Sequence, residues 1–70
     1  MVIVNAPMKR NEIKELVAAE FPGVKLVSEV GMKISFESIE GSDEDNAAAI
    51  KAAIKKTEYG SALFFQVTVG

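Results

Sequence analysis

Apolar residues along this chain recur with two periods, about two residues in four short runs and about 3.6 in two longer ones. The order of the runs is β, α, β, β, α, β. Val2, Ile3 and Val4 are β-branched and suit a pleated strand covered on both faces, which predicts a first strand over residues 1 to 5. Pro7 fits the first turn of a helix, where an amide would have gone unpaired, and Ile13, Leu16, Val17 and Phe21 follow at i, i+3, i+4 and i+8. The spacing predicts a helix over 7 to 21, stopped by Pro22 and Gly23.

Val24, Leu26 and Val30 form one alternating run and Met32, Ile34 and Phe36 a second, with Gly31 between them as the residue able to supply the positive φ of a tight hairpin. Ser28 interrupts the apolar register of the second strand, which calls for either a bulge or a hydroxyl tolerated near an edge. Glu40 and Gly41 end the third strand. Ser42 and Asp45 then have the spacing of a capping box, and Asp43, Glu44 and Asp45 place negative charge where a helix dipole is positive. The second helix is predicted over 43 to 58, with Ala47, Ile50, Ala53 and Ile54 as its buried stripe and Gly60 ending it. A last strand is predicted from Ser61 to Val69, with Leu63, Phe65, Val67 and Val69 on one face and Phe64, Gln66 and Thr68 on the other.

Two βαβ units, residues 1 to 30 and 32 to 70, are thus joined by a glycine turn, an organisation that resembles the split-βαβ, ferredoxin-like pattern. The resemblance implies an α+β fold: a four-stranded antiparallel sheet in spatial order 4-1-3-2, with both helices on one face. Val4 or Ile3, with Ile13, Leu16, Val17, Phe21, Leu26, Ile34, Phe36, Ile50, Ile54, Phe65 and Val67, would supply most of the core. The architecture serves many families and does not imply a function. The two cysteines of its metal-transport version, the glycine-rich arginine loop of its acylphosphatase version and the exposed aromatics of its RNA-recognition version are all missing from the corresponding positions.

Composition narrows the picture further. Seventy residues predict one domain, 1 to 70, with a thin core, since a chain this short buries only roughly 60% of the surface its unfolded form exposes. Eight basic and ten acidic residues give a net charge of −2, so no field favours nucleic acid, which is not expected as a partner. There is no cysteine and no histidine, which removes disulfides, thiolate metal sites and the commonest general base. The acidic run from Glu37 to Asp45 lacks the alternating ligands and central glycine of a calcium loop. No catalytic residue, metal ligand or cofactor is therefore expected. The N-terminal apolar run is too short for a signal core or a membrane span, and a cytoplasmic chain without membrane contact is the expectation.

Two surfaces remain as candidates. Lys9 and Arg10 fall in the first turn of the first helix, where free backbone amides could meet an anion, and Asn5 and Asn11 would add donors. An anionic ligand or nucleic acid held there is the alternative reading. The favoured one concerns the last strand, which carries no charge and no proline between Gly60 and Gly70, whereas the second strand is guarded by Lys25 and Glu29. With Phe64, Gln66, Thr68 and Val27 on the open sheet face, the chain reads as a small non-enzymatic interaction module that forms a homodimer or docks on a partner protein.

Overall fold

The computed structural model describes residues 1–60 and 62–70. Its elements are β1 (Val2–Asn5), α1 (Arg10–Glu20), β2 (Val24–Val30), β3 (Lys33–Ser38), α2 (Asp43–Lys55) and β4 (Gln66–Val69). The strands form one sheet in the order β2-β3-β1-β4, with every neighbouring pair antiparallel. This is the order expected of the ferredoxin-like arrangement.

Register decides which face is buried. Val2 lies opposite Phe36 and Val69, and Val4 opposite Ile34 and Val67, so these side chains share one face of the sheet. Ile13 and Val17 of α1 and Ala47, Ile50 and Ile54 of α2 join them in a single buried cluster, which puts both helices on that face. Leu16, Phe21, Tyr59, Leu63, Phe65 and Val67 pack around it half-buried. Of the three residues at the start, Val2 and Val4 enter the core and Ile3 looks outward.

The expected hairpin at Gly31 is present. Gly31 has φ 59° and is followed by Met32 on the ordinary side of φ, the pattern of a two-residue turn with glycine first. The interruption at Ser28 is a bulge: Leu26 faces Phe36, Ser28 faces Ser35, and Val27 is the extra residue. Leu26 is nevertheless 44% exposed rather than buried. The part of α1 beside it carries Asn11, Lys14, Glu15 and Ala18, which do not cover an aliphatic side chain.

Three boundaries differ from expectation. α1 begins at Arg10, because Ala6 donates to the Met32 carbonyl and so continues the β1–β3 ladder, and Lys9 then adopts a left-handed φ of 64° that a helix cannot include. α2 ends at Lys55, where Thr57 Oγ donates to the Ile54 carbonyl at 2.6 Å and accepts from the Gly60 amide at 3.0 Å. β4 starts at Gln66, because β1 ends at its register partner Asn5 and offers nothing to pair with earlier residues. The start expected at Ser61 lies outside the described residues. At the other end of α2 the expected cap is in place, with the Asp45 amide donating to Ser42 Oγ at 3.1 Å.

Candidate functional site

The open face of the sheet is built from rows that cross all four strands. Ser28, Ser35, Ile3 and Thr68 form one row, and Val30, Lys33, Asn5 and Gln66 the next. The face is therefore mostly hydroxyl, amide and charge around Ile3. Phe36, the one aromatic on β3, is in the core.

The apolar exposure collects at one end instead. Phe64 precedes β4, is 79% exposed, and lines a cleft of about 320 Å³ with Asn5, Ala6, Pro7, Met32 and Gln66. Asn5 and Gln66 are neighbours on the two strands at its base, and Met32, 55% exposed, stands at the hairpin. Side-chain amides beside apolar walls can hold an apolar side chain and hydrogen-bond the chain that bears it. Thr68 lies in the adjoining row. Val27 does not join this surface, because the bulge that carries it is on β2, at the opposite edge.

Met32, Ala6 and Pro7 were not anticipated in the cleft. The signal for Met32 is its place as the second residue of a tight turn, a position where a polar residue is usual.

Backbone direction along β4 follows from the hydrogen-bond phase. Gly70 donates to the Met1 carbonyl at 2.9 Å and accepts from the Met1 amine at 2.8 Å, so residues 1 and 70 form a bonded pair. Bonded pairs recur every second residue, so Ile3–Thr68 and Asn5–Gln66 also turn their amides and carbonyls toward each other. Val67 and Val69 consequently point theirs away from the sheet. Among the described residues, no loop backbone bonds to them. The edge of β4 is open.

The opposite edge differs. After the bulge Glu29 shares the helix-facing side with Ile34, and its carboxylate accepts from Lys14 Nζ at 2.6 Å and from Arg10 Nε at 3.1 Å. Glu29 was expected as a free guard of the edge and is instead a tie between β2 and α1. The same Arg10 donates to the carbonyls of Ala6 at 3.0 Å and Pro7 at 2.8 Å, closing the loop ahead of α1. Lys9 lies 3.8 Å from Glu12, Asn11 is exposed near Leu26, and Asn5 belongs to the cleft. The four residues considered for an anion site are thus dispersed.

The hydrogen bond from Lys14 is the largest influence on the Glu29 carboxyl and lowers it; desolvation comes next and opposes this, and the charge of Lys14 and the contacts of Arg10 keep the net shift below the ordinary value. Asp43 is lowered likewise, first by the Ser38 hydroxyl that donates to it at 2.6 Å and then by the Met1 ammonium. A carboxyl whose pKa is lower folded than unfolded stabilises the fold above its unfolded value, and that contribution is lost as pH falls through the folded value. Denaturant midpoints measured from about pH 7 down to about pH 3 should fall on the acid side, and Glu29→Gln should fall less steeply than the parent. Parallel pH profiles for the two proteins would show that the Glu29 contacts do not act in solution.

Among the described residues, no group of three or more acidic, histidine or cysteine side chains is placed to hold a metal ion. No helix among them is long and apolar enough to cross a membrane. A shallow groove of about 450 Å³ between the helices, lined by Leu16, Phe21, Ala49, Ala52, Ala53 and Lys56 among others, and a hollow of about 430 Å³ between α1 and Leu26 are further concavities among the described residues. Comparison with protein-family models, with curated proteins and with solved structures finds no match for this chain.

Proposed function

We propose that this protein is a small non-enzymatic interaction module that engages a protein partner through the Phe64 cleft and the adjoining edge of β4. The observation that carries this is the pairing of an exposed phenylalanine with an unpaired strand edge, on a molecule whose other edge is bulged and tied down by charge. An edge without charge or proline is a template for a further strand, and an exposed aromatic beside a cleft is the usual anchor of an interface. The fold relies on packing without disulfides and needs no oxidising compartment, so a cytoplasmic setting is part of the same proposal.

Light scattering tests it. The chain should run above its 7.5 kDa monomer mass as its concentration is raised, and Phe64→Lys should return it toward that mass with no loss of helical circular dichroism. Association that is indifferent to Phe64→Lys would place the contact elsewhere.

A further inference from the structure

The charges of α2 identify a specific partner for the open edge. Ala47, Ile50 and Ile54 are the side of this helix that enters the core, and Ala49, Ala52, Ala53 and Lys56 line the groove shared with α1. Helical spacing leaves a third side made of Glu44, Ala48, Lys51 and Lys55, all exposed. The helix packs over β4 and β1, while α1 packs over β2, so this third side overhangs the free edge of β4. Its polarity is split: Glu44 is in the first turn, and Lys51 and Lys55 are in the last two. Among the described residues, none of the three forms an ion pair within the chain.

We infer that the partner is a second copy of this chain, joined β4 to β4 in antiparallel fashion about a two-fold axis, with Glu44 of each α2 set against Lys55 of the other. This rests on the open-edge part of the interaction reading above and names the partner of that edge; the Phe64 cleft lies outside the joint. The two-fold places Val67 of one protomer opposite Val69 of the other, and the outward amides and carbonyls of both residues then close about four inter-chain hydrogen bonds. Val69, 43% exposed and on the helix-facing side, gains cover from the partner's Val67. The same axis runs α2 antiparallel to its counterpart. Each acidic first turn then meets a basic last turn, Ala48 leaves room for close approach, and Lys51 lies one turn from the opposing Glu44. No charge on β4 itself opposes the joint. An isologous contact of this kind makes every favourable pair occur twice.

Charge variants measured by light scattering and analytical ultracentrifugation test the geometry. Lys55→Glu sets two carboxylates against each other at two symmetric places and should weaken the dimer about tenfold or more in low salt. Glu44→Lys combined with Lys55→Glu restores opposite charges across the axis and should recover most of that loss. The chain has no native cysteine, so Glu44→Cys with Lys55→Cys provides a second, independent readout. These positions are three helical turns apart within one chain and cannot bridge internally, so oxidised glutathione should yield a disulfide-linked dimer from the double variant. A dimer that Phe64→Lys dissolves but that neither charge variant nor cross-linking touches would overturn the edge-to-edge joint and leave the interaction reading standing. A chain that stays monomeric at high micromolar concentration would overturn the second copy as partner.

Discussion

Phe36→Ala is expected to remove a large share of this protein's folding stability. Phe36 is 1% exposed, the largest of the fully buried side chains, and sits on central strand β3 opposite Val2, with the bulged end of β2 on its other side. Truncating a buried phenylalanine costs about 3–5 kcal/mol, the lost transfer energy plus the cavity that the rigid surroundings cannot fill. A domain of this size has a total stability of about 4–10 kcal/mol, so the loss consumes a large share of it. Phe64→Ala, at the same residue type but on the surface, should change the unfolding free energy by no more than about 0.5 kcal/mol. Urea unfolding followed by circular dichroism checks both. A Phe36 variant within about 1 kcal/mol of the parent would mean that the core lies on the other face of the sheet.

Gly60→Ala is the second substitution with a large expected effect, and its cause is contact rather than backbone strain. Gly60 is buried against the end of α2, where a Cβ would be driven into the carbonyl of Ile54 and against the Cα of Lys55. That carbonyl already accepts from the Thr57 amide at 3.1 Å and from Thr57 Oγ at 2.6 Å, so it cannot retreat without opening the turn that ends the helix. Ile54 is itself fully buried, and displacing it disturbs the core directly. Overpacking of this kind costs about 1–3 kcal/mol. The denaturant midpoint of Gly60→Ala measures it, and an unchanged midpoint would mean that the turn after α2 relaxes freely. A loosened turn would also move Phe64 and the start of β4, so the same variant should associate more weakly.

Much of this molecule is legible from local pattern. The periods of two and 3.6 depend only on neighbours a few residues apart, and they locate all six elements, the Gly31 hairpin and the Ser42 cap. The alternation in β4 correctly assigns Val67 and Val69 to the helix side and Gln66 and Thr68 to the open one. The fold class and strand order follow from the order of elements and the handedness of their connections, so they too could be read without coordinates.

What needed the tertiary structure is whatever depends on a partner distant in sequence. The length of β4 is set by where β1 stops, and no pattern within residues 61 to 69 records that. Arg10 stands in the sequence as a cation at a helix start, yet two loop carbonyls and Glu29, nineteen residues on, engage its guanidinium. Val27 and Phe64 share an expected open face, but Val27 is the extra residue of the β2 bulge and Phe64 lies ahead of β4 beside the cleft, so neither sits in a paired row of the sheet. The cleft at Phe64 and the overhang of Glu44 and Lys55 above a free edge likewise arise only when separate elements meet. A sequence specifies local conformation through steric and hydrogen-bonding preferences that act within a turn or two. The surfaces on which this protein's proposed association depends are set by packing between elements, which no short-range preference encodes.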